Sequence, residues 1–489
     1  MNPLVPSLKA ELGRIARAGA TYADVRYVPS EEEESLSFVQ GNLKNVSRST
    51  TAGIGVRVLT GGAWGFAAAS SLDALTAVFD CALENARAAS RRVAFPIQLA
   101  PRTPVTASYE SPCKTDPFTV PLADKIGLLE RVDKELGKPG VAQRFSHIGW
   151  VRKHIIFLDS DGAHVEKTIH DIFGGMSIVG VEKNGMSQHR SFELRNKGVG
   201  TRGWESFLEP AFYEAQAGRL VSELNQVLEA PQCPKDTRSA ILLPGIMFLQ
   251  THEVIGHALE LDRILGYELS YAGGSFVKLS DFGTLRYGSD KLTVRANATV
   301  PNAPGSFGFD DDGTPCQNYV LIENGILKSA LSSRTTILEA NAKAGRTIFT
   351  ASGGCARASG FNRIPLERMT NVNIEAGTDG TLDDIIAATE HGIVMDGAQS
   401  WSIGSNREQF HFACEIGWLV EDGRKTGVVK NPTCGMDTLP FWRGLSAVGD
   451  ETTRELVFCS NCGKGLPSQS MNVGHQVPVC RFDNVIVGR

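Results

Sequence analysis

His252-Glu253-Val254-Ile255-Gly256-His257 constrains this chain more than any other stretch. Two imidazoles and a carboxylate so close together are what a hydrolytic zinc site needs. Neutral imidazole nitrogens ligate the ion, and a glutamate beside the first ligand can take a proton from water. An α-helix turns about 100° per residue, so side chains four apart lie roughly 40° apart around its axis and side chains five apart roughly 140°. A straight helix therefore cannot aim His252 and His257 at one ion. The spacing predicts a one-residue helix bulge, with Gly256 as the residue that makes the distortion easy, because such bulges gather at functional sites. A buried helix with two incidental histidines would carry the same letters, so the motif alone leaves metal binding open.

The flanks supply a platform. Ser239-Ala-Ile-Leu-Leu-Pro244 reads as a short apolar strand, and Gly245 to Gln250 starts the histidine-bearing helix behind Pro244. Other stretches carry signatures of their own: Gly53-Ile-Gly-Val-Arg57, Trp64-Gly-Phe66, Asp311-Asp-Gly-Thr-Pro315, Leu321-Ile-Glu-Asn-Gly-Ile-Leu-Lys328, Arg368-Met-Thr-Asn371 and Cys462-Gly-Lys464. Together with His252 to His257, Glu260 and Asp262, these resemble the TldD branch of the TldD/PmbA metallopeptidase family, in the same order over nearly the whole chain.

The resemblance implies a site. Zinc, one ion per chain, would be held by His252, His257 and Cys462, the cysteine before Gly-Lys. Glu253 would be the general base. Glu260 and Asp262 either orient the ligating imidazoles, since such rings commonly donate their other N–H to a carboxylate, or serve a solvated helix face or a cap. Cys459 has no counterpart in that pattern. The resemblance also implies a peptidase acting on unfolded or small peptides, modified precursors among them, taken up as an added β-strand in a cavity closed by dimerisation. Keeping the histidine motif makes this the catalytic subunit, paired with a PmbA/TldE-like chain or with a second copy of itself. Leu261 and Cys316 depart from the family pattern and bear on substrate preference.

Two other functions remain to be separated from this one. A metal-dependent amide hydrolase tailoring a small peptide-like metabolite would keep the same residues and show a narrow substrate profile. A non-catalytic binding role, such as the gyrase modulation associated with the family, would survive Glu253→Ala. Net charge of −5 gives no polyanion footprint, so nucleic acid is not expected as a partner. Apolar runs such as Ala240 to Leu249 are too short to span a bilayer, and the amino terminus lacks the charged and apolar regions of a signal peptide. A cytoplasmic protein with no membrane partner is expected. Its ten cysteines lack the spacing of a disulfide framework.

The expected fold class is α+β, with mixed α/β units followed by a β-rich metallopeptidase domain carrying the metal-binding helix. Residues 1–95 form a first unit: a helix over Leu8 to Ala18, strands at 24–27 and 36–39, paired strands joined at Gly61-Gly62, and a helix over Leu72 to Ala88. The acidic run Glu31 to Glu34 reads as a solvated edge. Residues 96–121 are a proline-rich linker. Residues 122–229 form a central α/β unit, with a helix over Leu122 to Leu136, strands near 148–159 and 164–181, and a helix from about Phe207 to Leu228. His147, His154, His164, His170 and His189 fall here as surface or satisfied residues. Residues 236–489 form the metallopeptidase domain. In it Asp310 to Gly313 is a turn, Asn324-Gly325 closes a hairpin, Thr381 to Thr389 is a capped helix, and 353–360 with 368–371 rim a groove. Cys462 to Gly474 is a loop folding back over the site, and His391 and His411 are reserve ligands.

Overall fold

Residues 22–60 form two long strands in the computed structural model, which describes residues 2–196, 202–208, 213–271 and 273–488. Tyr22–Val39 and Asn42–Thr60 turn at Gln40-Gly41, both with positive φ, as a tight hairpin demands. Ala63–Ala69 pairs with the far end of Asn42–Thr60 through Gly61-Gly62, as the sequence predicts. The sheet then continues without a break, because Tyr22–Val39 also pairs with Gln143–Asp159, and that strand with His164–Val181. The first unit and the central unit thus share one seven-stranded sheet. Helices Val5–Arg17 and Leu75–Ser90 pack their apolar stripes on Val25, Ile54, Val56 and Val58. Leu122–Leu136 and Tyr213–Glu229 pack on Ile148, Trp150 and Ile172. A short helical turn, Glu205–Leu208, precedes the last of these, and the rest of the expected Phe207 start, 209–212, lies outside the described residues.

Two expectations for this half need correction. The run Glu31 to Glu34 is not a solvated edge, because its strand is central: Glu31 meets Lys153 at 2.7 Å across the ladder, and Glu34, 6% exposed, meets Lys125 at 2.6 Å. Cations on neighbouring elements neutralise it, a pairing that local composition cannot display. The proline-rich linker contributes an edge strand, Thr106–Glu110, parallel to the start of His164–Val181. The expected turn at 310–313 is present, and it is buried. Asp312 receives Arg57 at 2.6 Å and Asp311 receives Lys167 at 3.0 Å, tying the long sheet to the carboxyl-terminal domain.

That domain is organised by a closed ring of strands. Asp236–Leu242, Cys480–Val487, Thr433–Asp437, Gln409–Glu421 and His391–Ile403 pair in succession, and the last pairs in parallel with the first. Closure removes the edges an open sheet would expose. Its core holds Leu242, Met395, Phe412, Cys414, Trp442 and Phe482, and helix Pro244–Thr251 leaves from the end of the first strand onto this core through Ile246 and Met247. The expected hairpin at Asn324-Gly325 and the capped helix Leu382–Ala387, with Thr381 as its cap, are both present. With helices and extensive sheets in both halves, the fold is α+β.

Candidate metal centre

The helix that starts at Pro244 changes character at the first histidine. His252–Gly256 is a π turn, in which the His257 N–H reaches back five residues to the His252 carbonyl. This wider turn supplies the rotation that an α-helix lacks at this spacing, and the rings of His252 and His257 come to 4.7 Å, edge to face. The Tyr287 hydroxyl donates to the Val254 carbonyl within the turn. Gly256 is needed for a reason other than backbone freedom: its φ of −55° suits any residue. A Cβ there would stand 2.2 Å from the Met369 sulfur, so the glycine is a matter of space.

Cys462 arrives on a strand. Glu455–Lys464 and Gln469–Val477 form a hairpin over the histidines, where a glycine-rich loop was expected. Alternation along the strand buries Cys462 and Lys464 and exposes Gly463. One ligand atom from each of His252, His257 and Cys462 lies within 4.8 Å of the others, and Cys462 Sγ is 3.6 Å from His257 Nε2. Ligands of a tetrahedral zinc ion with bonds of roughly 2.1–2.3 Å stand about 3.5 Å apart, so this nitrogen–nitrogen–sulfur set fits that ion. Burial works against the Cys462 thiolate, but His257 and Arg368 outweigh it and the thiol lies below its ordinary value. Burial pushes both His252 and His257 down, toward the neutral form that ligates metal.

Behind the ligands stands a buried charged cluster. Glu260 Oε2 accepts from His257 Nδ1 at 3.0 Å and from Arg263 Nε at 2.5 Å. Burial would raise the Glu260 carboxyl, yet Lys464, His257 and Arg263 hold it well below its usual value. Asp262 takes neither a solvated face nor a ligating imidazole. Its carboxylate takes the Lys464 ammonium at 2.7 Å, so it acts on the strand that delivers Cys462. Lys464 also donates to the Glu367 carbonyl at 2.8 Å.

The segment 368–371, expected at a groove rim, is buried. Arg368 donates to the carbonyls of Gln469 and Cys462, bracing the hairpin from below. Glu253 is the exception to this enclosure: from Thr251 to Arg263 it alone is not buried. Cys459 stands outside the ligand set, its thiol pushed up to about 12 by burial. His391, at 2.9 Å from Asp236 and 2.8 Å from Glu421, is exposed and belongs to a surface ion pair. Neither it nor His411 joins the ligand group among the described residues. One histidine escaped the sequence reading altogether. His475, fully buried, places its Nε2 2.9 Å from His252 Nδ1. Its only sequence signal is its place in an alternating strand.

Family models described as PmbA/TldA metallopeptidase domain 1, central domain and C-terminal domain match residues 23–86, 115–224 and 236–489. A metalloprotease of Methanocaldococcus jannaschii is 27% identical over 448 residues, covering 91% of this chain and 93% of that protein. A "metalloprotease TldD homolog" of Haemophilus influenzae is 26% identical, covering 96% and 92%. Among solved structures, TldE from Thermococcus kodakarensis superposes with a TM-score of 0.70 over 99% of this chain and all of that one, at 16% identity. A Thermotoga maritima protein titled as a candidate modulator of a DNA gyrase gives 0.75 at 15% identity, over 99% of this chain and all of its own. At such identities the last two speak to the fold.

Proposed function

This chain belongs to the PmbA/TldD metallopeptidase family, and we propose that it is a zinc-dependent peptidase cutting unfolded or small peptides, modified precursors included. The observation that carries the reading is a contrast: three buried donors, two from one helical turn and one from a strand, converge while the carboxylate beside the first of them is only partly buried. A relative from Saccharolobus solfataricus, 25% identical over 249 residues and covering 51% of each chain, is named a zinc metalloprotease. Zinc held by His252, His257 and Cys462 would supply Lewis acidity toward a scissile carbonyl and toward water.

The chain's own residues do the rest. Glu253 takes the proton from the attacking water at the open side and returns it to the leaving amine. Glu260 fixes the His257 ring by accepting from Nδ1, which leaves Nε2 toward the sulfur. Lys464 and Arg368 hold the Cys462 strand from two sides. Beyond Phe458 the outer edge of that strand has no strand partner among the described residues, and it borders a cleft lined by Phe248, Trp401, Phe458 and Asn461. An extended peptide pairing with this edge would be read mainly through its backbone. We assign the chain the catalytic role, in the cytoplasm, in a dimer with a PmbA/TldE-like chain or a second copy. No helix among the described residues is long and apolar enough to cross a membrane.

Mass spectrometry of unstructured peptides incubated with the zinc-loaded chain, alone and with a TldE-like partner, tests the reading. Cleavage that disappears in Glu253→Ala is expected. Equal cleavage by that variant, or none by the wild type with zinc verified, would overturn it.

A further inference from the structure

We propose that His475 is a positioning residue that sets which nitrogen of His252 faces the metal, by way of a relay running Val372 carbonyl, His475, His252. The inference rests on His252 being a ligand, as proposed above.

The direction of each hydrogen bond follows from chemistry. His475 Nδ1 lies 2.8 Å from the Val372 carbonyl oxygen, which can only accept, so the proton sits on Nδ1. A neutral His475 then presents a bare lone pair at Nε2. That atom is 2.9 Å from His252 Nδ1, which must donate to it. His252 is left with its own bare lone pair on Nε2, the nitrogen a metal takes. Reversing the first bond is impossible at a carbonyl, so the main chain of Val372 dictates the tautomer two rings away.

The relay is also held rigidly. His475 is 0% exposed on Gln469–Val477, and its ring packs at 6.4 Å from Phe248 on the site helix. The adjacent residue ties Gln469–Val477 to the strand that carries Val372, since the Gln476 N–H donates to Asn373 Oδ1 at 2.8 Å. Asn371 bridges Gly474 on the other flank. The two imidazole ligands are thus supported differently: His257 by the Glu260 carboxylate and His252 by a neutral ring anchored on a carbonyl. Partners behind a ligand typically alter metal affinity by about 10–100-fold when removed.

The test uses the full-length chain and zinc itself. His475→Gln offers an acceptor and a donor at a separation like that of the ring nitrogens. His475→Asn keeps a donor near Val372 but is too short to reach His252. Zinc affinity by chelator competition, with thermal unfolding of the metal-free proteins as the folding control, should show Asn weakened by about 10–100-fold and Gln by less than about threefold. The visible spectrum of the cobalt-substituted protein should change with Asn and be restored with Gln. Independently of any variant, nitrogen-15 shifts of labelled histidines in the wild type should show protons on Nδ1 of both His475 and His252. Unchanged zinc affinity in His475→Asn, or a bare Nδ1 on His252, overturns the relay. Wild-type zinc binding no tighter than that of His252→Ala would instead overturn the metal-site reading, and the relay with it.

Discussion

Replacing Lys464 with methionine should unfold this protein far more readily than a single surface-like substitution would. The ammonium is fully buried and donates to Asp262 at 2.7 Å and to the Glu367 carbonyl at 2.8 Å, with Glu260 at 3.3 Å. Around it stand Arg263 and the carboxyls of Glu260, Asp262 and Glu367. Burial and the neighbouring Asp262 push Glu367 up to about 8, so near pH 7 that group is neutral. Two cations then balance two carboxylates. Without Lys464, Glu260 and Asp262 share Arg263 alone. Breaking a buried ion pair from one side costs about 3–5 kcal/mol. A domain of this size shifts by about 2–4 °C per kcal/mol, which puts the loss at about 6–20 °C in melting temperature. The measurement is thermal unfolding of the metal-free protein followed by circular dichroism, so that changed zinc affinity does not contribute. Asp262→Asn in the same background should recover part of the loss, because it removes one unpaired charge. A Lys464→Met protein melting within about 2 °C of the wild type would refute the view of this cluster as a charge-balanced brace.

Glu253→Gln should lower peptide turnover by about 10²–10⁴-fold and leave bound zinc, counted by atomic absorption, unchanged; loss of zinc would mean that Glu253 has a structural task instead. Glu367 binds its proton more tightly folded than unfolded, so its contribution is complete below its ordinary value near 4.5 and drains away as pH rises toward 8. Urea titrations across that range should show Glu367→Gln flattening the decline by up to about 1.4 kcal/mol per pH unit, and parallel curves would sink the assignment. Gly256→Ala should cost about 1–3 kcal/mol by crowding Met369, with recovery in the Met369→Ala double variant; equal penalties in both backgrounds would remove the steric account. Stripping zinc with a chelator should speed amide exchange across Glu455–Val477, since an ion held by Cys462 and both histidines would add a tie to the one His475 makes to His252. Exchange that stays unchanged there would show that Arg368, Lys464 and His475 suffice to hold it.

Local signals were legible wherever a few adjacent residues settle the geometry. Asn324-Gly325 needs only its own positive φ values to declare a hairpin, and Thr381 with Asp384 closes its own capping box. The five-residue histidine spacing announced a widened turn for the same reason, since rotation per residue is a local quantity. What stayed hidden depends on partners far along the chain. Glu34 reads as solvated until Lys125 appears beside it, and Arg368 reads as a surface residue until the carbonyls of Gln469 and Cys462 close on it. His475 lies more than two hundred residues from His252 in sequence, and no spacing rule connects them. Gly256 was noticed for a freedom it does not use, because the sulfur that crowds it belongs to Met369.

The strand ring sets a schedule for the molecule's birth. Its first strand, Asp236–Leu242, is flanked by His391–Ile403 and by Cys480–Val487, neither of which exists when that strand leaves the ribosome. The helix bearing His252 and His257 must therefore wait, its apolar face uncovered, while the remaining residues are made. Cys462 emerges only shortly before the closing strand. The proposed donor set therefore stays incomplete until Cys462, 205 residues after His257, has been made, and over that interval the nascent chain carries two of its three donors and no complete centre.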